Sequence, residues 1–352
     1  MQKRKLLLVI SFILLTVELS SQTADVYYNR GTEKLKKGDY TGAVLNFTKA
    51  IEINPNLADA YYNRGIAKYR KNDRNGAILD FTGAIDLNPN FSEAYNFRGK
   101  IKMEKNDYNG ALADLTHAVS INSNFTEAYN NRGEVKKAKN DYSGAILDFT
   151  KAIGINPNFA EAYNNRGITK YGKGDYEGAL LDYTKAVDVN PVFAGAYYNR
   201  GILKYRRGDY DGALPDFSEA VNINPDFADA FNNRGLVKKK TGDYQGAIRD
   251  FTRAVEINPD LSEAYNNRGI MRMNKGYYTE AVQDYTKAIE INPSLAAAYD
   301  NRGIAERNTG DHAAAIRDHS KAIEINPDFA EAYNNRGEAK KAKGDNAGAI
   351  LD

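Results

Sequence analysis

The amino-acid sequence predicts an all-α fold, a solenoid of antiparallel helix pairs. The first basis is a strict period, because the motif EAYNNRG or a close variant ends on a glycine every 34 residues from Gly31 to Gly337. The second is that each period holds two stretches with apolar residues at i, i+3, i+4 and i+7 spacing. The third is a turn signal after each stretch. A fixed period of this length is typical of a solenoid, in which each repeat buries its apolar face only against its neighbours.

Repeat positions are counted here from residue 24. Nine full repeats then occupy 24–329, and a tenth, 330–352, stops at position 23. Ahead of the array, residues 1–21 combine the basic start MQKRK with the mostly apolar run Leu6–Val17 and a small-residue segment. That pattern predicts a signal peptide, because a spanning helix would need about 20 apolar residues. We expect cleavage after Ser21 and export to the periplasm or outside a bacterial-type cell, the alternative being an uncleaved leader that anchors the chain.

Composition excludes several classes of function. The chain has no cysteine, which rules out disulfides, thiolate catalysis and Cys-ligated zinc. Its net charge of +2 comes entirely from residues 1–21, so the array is neutral and gives no electrostatic basis for binding nucleic acid. His117, His312 and His319 are the three histidines, and no third ligand accompanies the last two. We therefore expect neither a metal site nor a cofactor, and we interpret these histidines as packing residues.

Each repeat reads as helix A, over roughly positions 2–14, followed by helix B. Gly or Asn at position 15 suits a left-handed C-cap, and Asp at position 16 suits the N-cap of helix B. Helix B ends at an Asn-Pro pair in most repeats, because proline cannot continue a helix. Gly at position 8 and Ala at positions 20 and 27 predict close helix approach. Aromatic residues at positions 4 and 24 predict the core that fills the remaining space.

With these residues at positions 4, 8, 20, 24 and 27 and proline at 32, the repeat resembles the tetratricopeptide repeat (TPR) family over 24–352. The resemblance implies a right-handed superhelical solenoid in which helices A line a concave groove that binds peptides or protein segments. Two positions depart from the family pattern. Position 7 is arginine where the family usually has leucine, and position 11 is mostly lysine where it usually has tyrosine.

Position 6 faces the groove in that family and is asparagine in nine of ten repeats. A carboxamide both donates and accepts hydrogen bonds, so a row of them can hold an extended peptide backbone. The alternative is that each one bonds the neighbouring repeat. Position 12 varies, which suits selectivity, and its lysines favour an acidic, partly apolar segment, the alternative being a solvated helix face. The candidate groove residues are Asn63, Asn131, Asn165, Asn199, Asn233, Asn267 and Asn301 at position 6, and Tyr69, Lys137, Tyr171, Tyr205 and Lys239 at position 12.

Position 7 is arginine in all ten repeats and position 23 is aspartate in nine. Arginine offers a rigid fork to a carboxylate, so this pattern predicts a ladder of Arg–Asp contacts between helices. We interpret the ladder as structural rather than ligand-binding. Its central members are Arg132, Arg166 and Arg200 with Asp148, Asp182 and Asp216.

These observations favour a non-enzymatic protein–protein interaction scaffold that binds a peptide or protein segment. The alternative is the peptide-recognition arm of a longer enzyme, linked to a glycosyltransferase or protease domain outside this chain. The tenth repeat motivates that alternative, since it stops inside helix B without the polar capping helix that solenoids normally need. The same end predicts self-association, because an uncapped end exposes apolar surface to another copy.

Overall fold

The computed structural model describes residues 23–352, and every regular element within them is an α-helix. The predicted leader, 1–21, lies outside the described residues. Odd-numbered helices are the helices A and even-numbered helices are the helices B, so the prediction of an all-α repeat solenoid is confirmed. The twenty helices in the described part are α1 (23–36), α2 (Tyr40–Ile53), α3 (Ala58–Arg70), α4 (Arg74–Leu87), α5 (Ser92–Glu104), α6 (Tyr108–Ile121), α7 (Thr126–Ala138), α8 (Tyr142–Ile155), α9 (Ala160–Gly172), α10 (Tyr176–Val189), α11 (Ala194–Arg206), α12 (Tyr210–Ile223), α13 (Ala228–Lys240), α14 (Tyr244–Ile257), α15 (Ser262–Asn274), α16 (Tyr278–Ile291), α17 (Ala296–Thr309), α18 (His312–Ile325), α19 (Ala330–Ala342) and α20 (Asn346–Leu351).

The helices fall into two compact bodies. The first ends at Asp182 and the second begins at Tyr183, so the boundary lies within α10. In the first body each helix from α2 to α8 packs against the helix that follows it in the chain, as in the pairs α3–α4 and α5–α6. The second body repeats the arrangement in pairs such as α11–α12 and α17–α18. Each body is therefore a stack of helix pairs.

Helix boundaries follow from capping residues. Position 15 has positive φ throughout, between 62° and 67° at Asn72, Asn106 and Asn140 and between 76° and 92° at the seven glycines, so the predicted left-handed cap is confirmed. The aspartate at position 16 accepts a hydrogen bond from the backbone N–H three residues later, as Asp141 does from Gly144 at 2.9 Å. Tyr277 takes this position before α16 and provides no side-chain cap.

The core of each repeat centres on the side chain at position 24. Phe81, Phe149 and Phe217 are fully buried there, and the alanines at positions 20 and 27 beside them are buried too, as predicted. Glycine at position 8 is required by this packing. A Cβ added at Gly133 would lie 2.7 Å from the ring of Phe149, closer than carbon atoms can approach.

The aromatic residues at position 4 lie less deep than the sequence predicted. Most are half-buried rather than core residues, and each has the guanidinium of position 7 against its ring. In repeat 4 the Arg132 Cζ atom lies 5.3 Å from the centroid of Tyr129. One face of the ring packs at the seam with a neighbouring repeat, as Tyr95 and Tyr129 do around Val119. The other serves as a cation–π surface, which keeps it near solvent.

Candidate functional site

The position 6 asparagines lie on the helices A, and those of repeats 2, 4, 5, 7, 8, 9 and 10 donate a hydrogen bond to the preceding repeat. The Nδ2 atom of Asn131 donates to the Oδ1 atom of Asn96 at 2.9 Å, so a position 6 amide meets a position 5 acceptor 35 residues earlier. Where position 5 is tyrosine, its hydroxyl oxygen accepts instead. The same link joins Asn63 to Tyr28 (3.0 Å), Asn165 to Asn130 (3.1 Å), Asn233 to Tyr198 (3.2 Å), Asn267 to Asn232 (3.1 Å), Asn301 to Asn266 (3.1 Å) and Asn335 to Asp300 (3.0 and 3.1 Å). Neighbour bonding, the second of the two interpretations, is therefore present, and ligand contact stays a prediction.

The ladder does not use the full capacity of each amide. A carboxamide has two N–H donors and an acceptor oxygen, and the bond to the preceding repeat engages one donor. Asn63, Asn131, Asn199 and most others are half-buried, so they keep access to solvent. Asn165 is the exception at 9% exposure, and it also donates to the Oε1 atom of Glu134 at 3.0 Å. Burial raises the pKa of Glu134, against the opposing effects of Lys137 and of the Asn165 bond.

The position 12 candidates are half-buried on the same helices. In the first body the hydroxyl of Tyr69 donates to the Oε1 atom of Glu104 at 2.5 Å, and the ring of Tyr171 meets that of Tyr176 edge-on at 5.2 Å. Burial raises the pKa of Tyr69, and the bond to Glu104 adds to this. Lys137 lies near Glu134 in repeat 4, where its charge favours the ionised carboxylate.

The second body carries the remaining candidates. The rings of Tyr205 and Tyr210 are 5.4 Å apart, and burial raises the pKa of Tyr205. Burial also lowers the pKa of Lys239, and the charge of neighbouring Lys240 lowers it further. Asn63, Asn131, Asn165, Tyr69, Lys137 and Tyr171 thus lie in the first body, and Asn199, Asn233, Asn267, Asn301, Tyr205 and Lys239 in the second.

Each arginine predicted to form an ion pair binds the aspartate at position 23 of its own repeat. In repeat 4 the Arg132 Nε and Nη2 atoms donate to the two carboxylate oxygens of Asp148 at 2.8 and 2.6 Å. The same fork joins Arg166 to Asp182 (2.9 and 2.7 Å) and Arg200 to Asp216 (3.0 and 2.7 Å). The carboxylates are 4–5% exposed and the arginine side chains 15–16%, so these pairs are largely buried.

Two further contacts of these Arg–Asp pairs were not predicted from the sequence. The lysine at position 11 lies one helical turn after the arginine and reaches the same carboxylate, as Lys136 does to Asp148 at 2.8 Å. The third arginine nitrogen crosses to the preceding repeat, where Nη1 of Arg166 donates to the hydroxyl of Thr150 at 3.0 Å. The signal for both was available, since lysine recurs at position 11 and Ser or Thr at position 25.

A cleft of about 650 Å³ opens on the face of the second body that carries the position 6 asparagines. It lies where repeats 9 and 10 meet, and its walls include Asp300, Ile304, Phe329 and Asn335. The position 5 to position 6 link between Asp300 and Asn335 therefore lies in the wall of a shallow, open cleft. In this cleft an apolar wall lies beside amide and carboxylate groups.

No group of three or more His, Cys, Asp or Glu side chains within 23–352 is arranged to hold a metal ion. His319 is fully buried at position 24, where it fills the aromatic site of the core. No described helix combines the length and the apolar character needed to cross a membrane.

Comparison with known proteins gives one family. A family model described as "TPR repeat" matches residues 33–72, 135–174, 169–208, 203–242 and 305–344. Two models described as "Tetratricopeptide repeat" match 228–261 and 262–295, and 58–91 and 92–125. No curated protein matches the chain.

Solved structures resemble parts of the chain. The Pseudomonas aeruginosa pilF structure is 19% identical, with a TM-score of 0.56, and the match covers 60% of this chain and 97% of that one. The Cut9–Hcn1 assembly is 14% identical, with a TM-score of 0.56 and coverage of 90% and 76%. YrrB, described as a TPR protein with an unusual peptide-binding site, is 30% identical, with a TM-score of 0.48 and coverage of 55% and 97%.

Proposed function

Because the chain belongs to the tetratricopeptide repeat family, whose repeats form protein-interaction scaffolds, we propose that it binds an extended protein segment along its helices A. The position 6 asparagines would hold the backbone of that segment, and the position 12 residues would select its side chains. Such a fold typically serves as a non-catalytic scaffold, and holding a segment in this way requires no chemistry on it.

The observation that carries this proposal is the repeated link between positions 6 and 5. One hydrogen bond fixes the side-chain torsions of each asparagine, so the amides of successive repeats share one orientation before any ligand arrives. Groups that are ordered in advance lose less entropy on binding. The carbonyl oxygens of Asn233, Asn267 and Asn301 then recur once per repeat, and Asn267 and Asn301 each keep one N–H, whereas the second N–H of Asn233 donates to the backbone oxygen of Asp229 at 2.8 Å. A peptide backbone, which also presents donors and acceptors at regular intervals, suits such a row.

Lys239 supports an acidic component in the partner. Its side chain is half-buried, no carboxylate among residues 23–352 pairs with it, and Lys240 adjoins it. A cation that has lost part of its hydration without gaining an anion is stabilised when a ligand brings one. The apolar part of the binding site would come from Tyr205 of repeat 6 and from half-buried Leu236, which lies at position 9 of repeat 7 together with Lys239 at position 12. The proposed ligand is therefore a segment with acidic and apolar side chains.

Two further proposals rest on less of the molecule. Export of the chain rests on residues 1–21, which lie outside the described residues. Self-association, expected from the sequence, likewise stays a proposal. Light scattering across protein concentrations tests it, and a constant monomer mass would contradict it.

The binding proposal is tested with a display library of unstructured peptides and the purified chain as target. The variant Asn233→Ala, Asn267→Ala, Asn301→Ala should weaken every selected peptide about tenfold or more, since each lost hydrogen bond costs about 1 kcal/mol. Lys239→Ala should weaken only the acidic peptides. This difference separates backbone holding from side-chain selection.

Matched controls come from the helices B. Asn222→Ala on α12 and Lys185→Ala on α10 remove the same chemical groups from exposed positions and should leave binding unchanged. Urea unfolding of each variant separates a lost contact from a loosened ladder. Unchanged binding by a folded triple-asparagine variant would show that these amides serve the fold alone.

A further inference from the structure

Repeat 9 differs from the other repeats at one ion-pair position. Position 11 is lysine in eight repeats and arginine in one, but here it is Glu306. The Glu306 side chain is 16% exposed, and its Oε2 atom is buried without a hydrogen-bond partner. Its nearest cation, the Nε atom of Arg302, is 4.0 Å from the Oε1 atom, which is an ion contact at the limit of its range.

The charges around Glu306 do not balance. The Arg302 fork already binds Asp318, with Nε to Oδ2 at 2.6 Å and Nη2 to Oδ1 at 2.9 Å. Its third nitrogen donates to the hydroxyl of Thr286 on α16 at 3.1 Å. In most other repeats two cations serve one carboxylate, whereas in repeat 9 one cation serves two. Two other charged groups lie near Glu306. Asp311, a carboxylate, is the N-cap of α18, and Arg317, a cation, lies on α18.

We propose that repeat 9 is a pH-sensitive segment of the array, in which protonation of the buried, unpartnered Glu306 carboxylate stabilises the packing of α17 against α18. Proton uptake makes the side chain neutral, which removes the repulsion from Asp318 and the cost of a buried, unpartnered charge. The Arg302 fork then belongs to Asp318 alone, as in the other repeats.

The direction of the pH effect follows from linkage. Burial first, and the charge of Asp318 second, raise the pKa of Glu306 from 4.5 to about 7. At pH values between 4.5 and about 7, Glu306 therefore keeps a proton in the folded chain that it has released in the unfolded chain. The stability of repeat 9 is highest in weak acid and falls as pH rises through this window. From pH 5.5 to pH 8.5 the opening constant of the helix pair should rise about thirtyfold.

This segment lies beside the asparagine ladder. Asp300, on α17, accepts both bonds from Asn335 of repeat 10 and lies 2.7 Å from the Nδ1 atom of His319. Opening of α17 would break the link between repeats 9 and 10 and change the cleft that Asp300 lines. A rise in pH would therefore loosen this part of the ladder selectively.

Hydrogen exchange measured by mass spectrometry on the full chain tests the proposal. After correction for intrinsic exchange rates, peptides from α17 and α18 should lose protection from pH 5.5 to pH 8.5, while those from α13 and α14 should not. Glu306→Gln, a neutral side chain of the same shape, should abolish this difference. His312 and His319 are intact in that variant, so a pH dependence that they cause would persist. Persistence of the wild-type dependence in Glu306→Gln overturns the proposal, as does equal behaviour of the two regions in the wild type.

A second variant tests the cause in another repeat. Lys136→Glu places a carboxylate beside Arg132 and Asp148, whose geometry matches that of repeat 9. Protection of α7 and α8 should then fall with rising pH as it does in repeat 9. A folded Lys136→Glu chain without this dependence contradicts the mechanism. If the variant does not fold, the result with Glu306→Gln decides the question.

Discussion

Replacing Arg166 by leucine should strongly destabilise the first body. The Arg166 side chain makes three kinds of contact at once. It donates two hydrogen bonds to Asp182, donates a third to Thr150 of the preceding repeat at 3.0 Å, and covers the ring of Tyr163 with its Cζ atom 5.6 Å from the centroid. Leucine has a similar apolar stem but no donor. The substitution therefore leaves the buried carboxylate with Lys170 as its one cation, 2.8 Å away.

The magnitude follows from these contacts. Hydrogen bonds to charged groups contribute about 1.5–3 kcal/mol each, and removal of one partner from a buried ion pair costs about 3–5 kcal/mol. Lys170 retains part of the compensation for Asp182, which places the expected loss at the lower end, about 3 kcal/mol. Arg166→Lys keeps the charge but not the fork, so it should lose about half of that.

Urea unfolding followed by circular dichroism measures the loss. A matched control is Arg253→Leu, because Arg253 is 45% exposed and its two ion contacts are 3.5 and 3.7 Å long. Its substitution should change stability by less than about 0.5 kcal/mol. Equal effects of Arg166→Leu and Arg253→Leu would refute the reasoning that burial gives the ladder its energetic weight. A loss that disappeared in about 1 M salt would refute it too, since buried pairs are screened much less than exposed ones.

Two further predictions concern packing and capping, and the same unfolding assay measures both. Gly235→Ala should cost about 1–3 kcal/mol, because the added Cβ would lie 2.7 Å from the ring of Phe251. Gly154→Ala, with no heavy atom within 4 Å of its added Cβ, should instead gain about 0.5 kcal/mol, and equal effects would exclude the proposed clash. Tyr277→Asp should raise stability by about 1 kcal/mol, since it supplies the N-cap that α16 lacks. Asp243→Ala should lower it by a similar amount, and no gain from Tyr277→Asp would show that this helix start is stabilised in another way.

Most of the fold could be read from local pattern. Helices A end at Asn72 and Gly174 because these residues adopt a positive φ. The helix that follows Asp141 begins there because the Asp141 side chain accepts a hydrogen bond from the backbone N–H three residues later. Such interactions span a few residues, so residue type and spacing are enough to predict them. The same holds for the fit of Gly133 to Phe149, because both residues belong to one helix pair.

The candidate site could be predicted only in part. Spacing indicated that Arg132 and Asp148 would meet, but not that Lys136 would bind the same carboxylate. Periodicity placed Asn131 on a helix face, yet the direction of its Nδ2 atom depends on where the preceding repeat places Asn96. A side chain that reaches across a seam is controlled by the distance between two repeats, and that distance is not encoded in either repeat alone.

By itself, the sequence determined the period, the helix pairs, their caps and the position 24 side chains at the centre of the core, because each depends on residue type at a fixed spacing within one repeat; the shallower burial of the position 4 rings was not among them. The tertiary structure alone decided which acceptor each ladder asparagine uses, which cations share each aspartate and how deeply Glu306 lies among like charges. These outcomes depend on burial and on the positions of neighbouring repeats, since the cost of an unpaired charge or donor arises only once water has been excluded from it.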